Sequence, residues 1–162
     1  MAPRQFEVES SQTITSVFEA QYARFCRLAY LLTGDRSRAE EIVMEAFVRS
    51  LSRWRSVREP EAYVRRAVVN LSRNRLRRAF LERRPPTDQD SVTLPADPAD
   101  HIWAAVRALP PRQRAAIVLR YWDDLSDAEI SAALGCAVGT VKSQLSKARA
   151  SLARSLGKQE DQ

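Results

Sequence analysis

The sequence predicts an all-α protein made of two small helical domains joined by an extended acidic linker. Apolar residues recur with a period near 3.6 residues in 14–84 and again in 100–157, which is typical of amphipathic helices. The segment between them, 85–99, is rich in proline and aspartate and has no such period. We therefore expect a three-helix domain, a linker and a four-helix domain, with a flexible segment at 1–13 and a short tail at 158–162.

Three helices are predicted in the first domain. The first begins near residue 14 and stops at Gly34-Asp35. The second buries a stripe that comprises Ala39, Ile42, Val43, Ala46, Phe47, Ser50 and Leu51, and it shows an acidic face formed by Glu40, Glu41 and Glu45. The third starts at Pro60, where the missing amide costs nothing, and runs to about residue 78. Its inward face comprises Val64, Ala67, Val68 and Leu71.

The outer face of the third helix combines an aromatic ring with cations and amides. It comprises Tyr63, Arg66, Asn70, Arg73, Asn74 and Arg77. Such side chains stack on bases, neutralise phosphates and hydrogen-bond to base edges. In the preceding loop, Trp54, Arg55 and Arg58 are expected to add a basic groove with an aromatic wall. These residues together predict a surface for single-stranded DNA, and a merely solvated basic face is the alternative.

The second domain is predicted to contain a helix-turn-helix. Helices are expected at 101–109, with Ile102, Val106 and Leu109 inward, and at 111–122. Ser126 and Glu129 then form a capping box, and Gly135 supplies a left-handed turn. A second short helix follows at 140–152. Such a helix normally enters the major groove, and its outward residues are Lys142, Ser143, Ser146 and Lys147.

The charge distribution predicts a nucleic-acid partner. The net charge is +6, from 26 basic and 20 acidic residues. Residues 14–84 carry 16 basic and 8 acidic side chains, residues 85–100 carry four aspartates and no base, and residues 101–157 carry 8 basic and 4 acidic side chains. Two cationic blocks therefore flank an acidic connector. Basic side chains placed on phosphates release condensed counterions, which favours binding of nucleic acid.

Composition argues against several other classes. No apolar run is long enough for a membrane span, and the start MAPRQFEVESSQ lacks the pattern of a signal peptide, so we expect a cytoplasmic protein. Cys26, Cys136 and His101 are too few ligands for a zinc site or a disulfide framework. The two cysteines are expected to be reduced structural thiols. We predict no catalytic residue, no metal and no cofactor.

Two segments carry a family resemblance. LPPRQRAAIVLRYWDDLSDAEISAALGCAVGTVKSQLSKARASL resembles the fourth conserved region of bacterial RNA polymerase sigma factors. AYLLTGDRSRAEEIVMEAFVRSLSRWRSVREPEAYVRRAVVNLSRNRLRR is similar to their second region. In this order and with a short linker, the pair resembles the extracytoplasmic-function (ECF) type, which lacks the first and third regions. No further C-terminal domain is expected after Leu156.

The resemblance implies a role for each surface. The chain would bind core RNA polymerase and direct promoter-specific initiation. Region 2 would dock on the clamp helices of the β′ subunit through Glu40, Glu41 and Glu45. The residues implied to melt the −10 element and capture its non-template strand are Trp54, Arg55, Arg58, Tyr63, Arg66, Asn70, Arg73 and Asn74. Region 4 would contact the β flap and read the −35 element through Arg120, Thr140, Lys142, Ser143, Ser146 and Lys147.

The resemblance also bears on other partners and on the linker. Promoter DNA is the implied ligand, an anti-sigma factor is an implied partner, and the acidic linker would thread the polymerase toward its active site. Ala137 stands where a capping serine is frequent in the family, which weakens the start of the recognition helix by roughly 1 kcal/mol.

The sequence leaves three other functional interpretations open. A dimeric helix-turn-helix regulator that is not a polymerase subunit would explain residues 111–156 but assigns no function to residues 14–84. A nucleic-acid enzyme would need a metal-binding cluster, and the sequence has none with the right spacing. A sequestered interaction module is the third alternative.

We also expect the extended linker to keep the two blocks apart as separate domains.

Overall fold

The computed structural model describes residues 4–82 and 100–160. Within those two ranges the chain forms seven α-helices, one 3-10 turn and no strand, which confirms the predicted all-α class. The predicted linker at 85–99 lies outside the described residues. The elements, in chain order, are α1 (Arg4–Thr33), α2 (Arg36–Leu51), the 3-10 turn Trp54–Ser56, α3 (Pro60–Leu81), α4 (Asp100–Arg107), α5 (Pro111–Tyr121), α6 (Asp127–Leu134) and α7 (Val138–Glu160).

Helix α1 begins at Arg4, ten residues before the predicted start at Ile14. Residues 4–13 contain neither glycine nor proline, so nothing in the backbone breaks the helix there. Its end is where the sequence predicts it, at Gly34, which has a φ of 76°. The side chain of Asp35 then caps α2 by accepting a hydrogen bond of 3.0 Å from the Arg38 amide.

Helices α1, α2 and α3 pack together around a shared apolar core. The predicted stripe of α2 is buried from Ala39 to Ser50, and the Ser50 hydroxyl donates to the Ala46 carbonyl, 2.7 Å away. The stripe ends there, because Leu51 is 57% exposed, contrary to its predicted place in the core. An edge-to-face contact between Phe18 and Phe47, with 5.0 Å between ring centroids, joins α1 to α2.

Helices α4 to α7 contain the predicted helix-turn-helix. The reciprocal capping box of Ser126 and Glu129 starts α6, and Gly135 ends it with a φ of 64°. The Ser131 hydroxyl donates a 2.5 Å hydrogen bond to the Cys136 carbonyl and so braces the turn. Helix α7 is longer than predicted at both ends. Ile102 is 44% exposed rather than inward, because it lies in the first turn of the short helix α4, where Ala105 and Val106 make the core contacts.

The two halves of the chain pack against each other. Helices α1 and α3 both contact α5, α3 also contacts α6, and the buried apolar residues form one continuous core. The expectation of two separated blocks is therefore wrong for this structure. A three-helix block of about seventy residues buries only about 60% of its chain surface when it folds alone, so contact with the second half supplies further burial.

None of the described helices combines the length and the apolar composition that crossing a bilayer needs.

Candidate nucleic-acid interface

The outer face of α3 carries an exposed row of polar side chains. Arg66, Asn70 and Asn74 follow one another at four-residue spacing and are all exposed, and Tyr63 lies one turn earlier and is half-buried. Residues four apart lie on the same side of a helix, about one turn from each other. We call these four residues the α3 row. It offers one aromatic ring, one cation and two amides on a single face, which is the combination the sequence predicts.

Trp54 does not belong to this surface. Its side chain is only 6% exposed, and it is part of the core rather than the wall of a groove. A tryptophan side chain gains more from burial than from exposure, because it removes a large apolar area from water. The 3-10 turn places it inward, and Arg55 and Arg58 on either side of Val57 remain exposed. The predicted basic loop is therefore present without its aromatic wall.

Arg73 is also partly withdrawn from the predicted DNA surface. Its Nη1 donates a hydrogen bond of 3.0 Å to the carbonyl oxygen of Leu134, the last residue of α6. Burial lowers the pKa of the Arg73 guanidinium below its usual value, and the nearby Arg112 lowers it further. Arg112 on α5 is exposed, so it adds a cation close to this end of the α3 row. Sequence reasoning missed it, since 39 residues separate the two arginines.

The recognition helix α7 presents the predicted outward face. Lys142, Ser143, Ser146 and Lys147 are exposed, whereas Val141, Leu145 and Ala148 on the opposite side are buried. Thr140 is half-buried. The amides of Thr140 and Val141 bond to the carbonyl of Ala137, which places Ala137 at the helix cap. Because alanine has no side-chain oxygen, the cap leaves the first amides of α7 without a side-chain acceptor from that position.

Arg120 does not present the free cation that the prediction required. Its guanidinium is half-buried and forms an ion pair with Asp127, the first residue of α6. An acidic side chain in the first turn of a helix is favoured by the helix dipole, and it neutralises the arginine. Arg120 therefore joins α5 to α6, and in this structure its charge is paired with Asp127.

The acidic face of α2 is paired with arginines. Glu40 lies 3.6 Å from Arg36, and Glu45 lies 2.5 Å from Arg49. Arg75 on α3 reaches Glu41 at 3.7 Å and Glu45 at 3.6 Å. Exposed pairs of this kind contribute about 0–1 kcal/mol each, so the carboxylates remain available to a partner of opposite charge.

Beside these carboxylates lies an apolar strip that sequence reasoning missed. Met44, Val48 and Leu51 are large, exposed and spaced by four and three residues, and Val48 is 60% exposed. That spacing places them on one side of the helix. The signal was present in the sequence, because α2 has apolar residues outside its buried stripe. We call the set Glu40, Glu41, Met44, Glu45, Val48 and Leu51 the α2 surface.

The thiols and carboxylates do not suggest a metal site. In the two described ranges, no three His, Cys, Asp or Glu side chains come close enough to hold an ion. Cys26 and Cys136 are half-buried and carry free thiols. Burial raises the pKa of Cys26 above its ordinary value, which keeps that thiol protonated and less reactive.

These features define a class of protein. An all-α chain with a helix-turn-helix in one half and a basic, aromatic and amide-bearing helix in the other is a bipartite DNA-binding protein. The sigma-70 region 2 family matches residues 17–80, and the sigma-70 region 4 family matches residues 100–152.

Known relatives agree with the two family matches. The RNA polymerase sigma-E factor of Streptomyces coelicolor is 34% identical over 143 residues, which cover 80% of this chain and 78% of that protein. The ECF RNA polymerase sigma factor SigM of Mycobacterium tuberculosis is 32% identical over 148 residues, which cover 87% of this chain and 76% of that protein.

A solved structure shows the same fold. The sigma factor RpoE of Bartonella quintana, in complex with the anti-sigma factor NepR, superposes with a TM-score of 0.70 at 22% identity and covers 90% of this chain and 98% of that chain.

The chain belongs to the sigma-70 family and, within it, to the ECF sigma factors. It is accordingly a DNA-binding regulatory subunit of RNA polymerase that directs promoter-specific transcription initiation, and it is not an enzyme.

Proposed function

We propose that the α3 row captures the unpaired non-template strand of the −10 element. The single observation that carries this proposal is the exposed alignment of Arg66, Asn70 and Asn74 with Tyr63 on one face of α3. The tyrosine ring stacks on a flipped base, the amides hydrogen-bond to base edges, and the arginine binds phosphate. The exposed Arg55 and Arg58 extend the basic surface at the start of the helix.

The free-energy cost of opening the duplex and the free-energy gain from capturing a base are of comparable size. Opening a duplex costs on the order of 1.4 kcal/mol per stacked step. Stacking a base on an aromatic side chain returns about 1–3 kcal/mol. Capture of one or two bases therefore offsets the opening of a few base pairs, and melting proceeds by binding alone without nucleotide hydrolysis.

Helix α7 is proposed to read the −35 element as a duplex. Lys142 and Lys147 supply charge for phosphates, and Ser143 and Ser146 supply hydroxyl groups for base edges. All four are exposed opposite the buried side of the helix. In a helix-turn-helix, the second helix enters the major groove and its N-terminal residues contact the bases. Thr140 in the first turn of α7 belongs to the same proposed contact.

The α2 surface is proposed to dock on the clamp helices of the β′ subunit, and the second half of the chain on the β flap. The α2 surface combines an exposed apolar strip with carboxylates, and such a mixture is typical of a protein interface with an apolar centre and a polar rim. A face bearing Glu40, Glu41 and Glu45 is unsuited to DNA, because like charges near phosphate repel. A cationic protein surface is its natural complement.

Two further expectations belong to this proposal. The solved relative from Bartonella quintana is bound to an anti-sigma factor, and we propose that this chain also has an anti-sigma partner. We also propose that it acts in the cytoplasm, where the polymerase and the chromosome are.

Permanganate footprinting of a promoter complex with core polymerase tests strand capture. Asn70→Ala and Tyr63→Ala are expected to weaken the footprint of unpaired thymines and to leave duplex binding nearly unchanged. Ser37→Ala, an alanine substitution at an exposed position on α2, serves as the control and should behave like the wild type. An unchanged bubble in both α3 variants would remove the α3 row from the proposal.

A further inference from the structure

An exposed tyrosine holds an exposed arginine on one flank of the recognition helix α7. Nε of Arg149 donates a hydrogen bond of 2.8 Å to the hydroxyl oxygen of Tyr121, the last residue of α5. The guanidinium carbon lies 5.7 Å from the centroid of the tyrosine ring, which adds a cation–π contact. Tyr121 is 62% exposed, and Arg149 is exposed as well. The guanidinium is therefore held in one place while it remains at the surface.

The charge of Arg149 has no counter-ion in the part of the chain that the structure describes. Its side-chain contacts there are with Tyr121, and α7 carries no acidic residue before Glu160. Arg120, by contrast, is paired with Asp127. A phenol oxygen accepts a hydrogen bond without cancelling the positive charge of the donor. Arg149 therefore keeps its charge and has its Nη1 and Nη2 groups left over for an anion.

The place of Arg149 along α7 relates it to the residues proposed to read DNA. Lys142, Ser146 and Arg149 are all exposed and are spaced by four and three residues, so they share one side of the helix. The seven residues from Lys142 to Arg149 span about 10 Å of helix. The major groove is about 12 Å wide. With the start of α7 among the base edges, Arg149 comes to the level of the sugar-phosphate backbone that borders the groove.

The shape of the guanidinium suits a phosphate at that position. An arginine can donate two parallel hydrogen bonds to two phosphate oxygens. The bond to Tyr121 uses Nε and leaves the two terminal nitrogens for that pair of bonds. Holding the long side chain in advance also lowers the entropy that binding would otherwise cost.

We propose that Arg149 binds a backbone phosphate of the −35 duplex and that Tyr121 is the positioning residue that orients its guanidinium. This inference rests on the proposed role of α7 in reading the −35 element. The contact carries no base information itself, but it fixes the register of α7, so that Ser143 and Ser146 meet particular base pairs. Neither residue is among the DNA contacts predicted from the sequence, since 28 residues separate them along the chain.

The salt dependence of binding tests the charge of Arg149. The chain is assembled with core polymerase and bound to the −35 region of a promoter on which this complex gives run-off transcripts. Arg149→Ala should reduce the slope of log affinity against log salt concentration by about 0.9, the value for one phosphate contact. Arg149→Lys keeps the charge and should keep the slope. Arg154→Ala removes another exposed arginine of α7, five residues further on and on a different side of the helix, and should leave the slope unchanged.

Single methylphosphonate substitutions along both strands of the same duplex locate the phosphate. Each substitution removes one backbone charge, and at one position it should weaken binding of the wild type by about tenfold. The same substitution should have no effect on Arg149→Ala. Tyr121→Phe keeps the ring and removes the hydrogen-bond acceptor, so it should weaken binding by about threefold and add nothing to Arg149→Ala. A structural role alone would not produce this coupling.

The possible outcomes separate this inference from the proposed function of α7. If Lys142→Ala loses discrimination of the −35 element while Arg149→Ala keeps the slope and the methylphosphonate pattern of the wild type, the phosphate site is overturned and the role of α7 stands. If Arg149→Ala instead lowers affinity for core polymerase with the phosphate pattern intact, its partner is the polymerase and the proposal is wrong. Additive losses in Tyr121→Phe and Arg149→Ala would overturn the positioning role of Tyr121. If Lys142→Ala also discriminates normally, the reading of the −35 element by α7 fails together with this inference.

Discussion

Arg73 of α3 donates a hydrogen bond of 3.0 Å to the carbonyl oxygen of Leu134 at the end of α6. The family resemblance implies that Arg73 binds DNA, yet in this structure the side chain joins two helices from opposite halves of the chain. Loss of this side chain should therefore lower the stability of the free chain, whereas a residue that only binds DNA would leave that stability unchanged.

Arg73→Ala is expected to destabilise the free chain by about 1 kcal/mol, the usual net contribution of a hydrogen bond. For a chain of this size, that corresponds to a fall in melting temperature of about 2–4 °C. Arg77→Ala changes an exposed arginine on the same helix and should stay within about 0.5 kcal/mol of the wild type. Thermal unfolding followed by circular dichroism measures both, and equal melting temperatures for the two variants would contradict the prediction.

Lys142→Ala is expected to weaken recognition of the −35 element and to leave melting of the −10 element intact. The loss of one phosphate contact should reduce the slope of log affinity against log salt concentration by about 0.9. Affinity measured over a salt series, on promoters with and without the upstream element, gives the comparison. A loss of the same size on both promoters would remove Lys142 from the −35 contact.

Val48→Glu is expected to reduce affinity for core polymerase by more than about tenfold, because it places a charge in the apolar centre of the proposed α2 interface. The side chain is 60% exposed in the free chain, so the fold should tolerate the change. Ala23→Glu introduces the same carboxylate at an exposed position on α1, away from the α2 surface, and serves as the control. Competition binding to core polymerase distinguishes the two, and undiminished affinity of the Val48 variant would argue against docking through α2.

Gly135→Ala and Gly139→Ala are expected to change stability in opposite directions. Gly135 has a φ of 64°, and alanine there costs roughly 1–2 kcal/mol in backbone strain. Gly139 lies in the first turn of α7 with nothing within 4 Å of an added methyl group. Alanine at that position should stabilise the chain by about 0.4–1 kcal/mol. Urea unfolding measures both, and a destabilised Gly139→Ala or an unaffected Gly135→Ala would refute the argument.

Local sequence patterns predicted the elements well. The buried residues of α2 from Ala39 to Phe47, the capping box of Ser126 and Glu129, and the left-handed Gly135 all depend on neighbours within one or two helical turns. Helical periodicity and cap chemistry act over that distance, so the sequence alone contains the information. The family resemblance came from the same local segments.

Contacts between the halves could not be predicted in this way. Asp123 meets arginines 99 and 58 residues earlier in the chain, and no periodicity records such a pairing. Trp54 lies in the loop before α3, where helical periodicity does not apply, so the sequence does not show that its side chain is buried. The pairing of Arg120 with Asp127 is likewise hidden from local patterns, since the two side chains meet only after the chain turns between α5 and α6.

Run-off transcription with core RNA polymerase and a pool of genomic promoter fragments tests the central claim most directly. The account predicts that the chain, added to core polymerase, produces discrete transcripts whose start sites follow a shared pair of upstream motifs. Core polymerase alone should not produce them. If the combination initiates nowhere above the level of core polymerase alone, the assignment of promoter-specific initiation to this chain is contradicted.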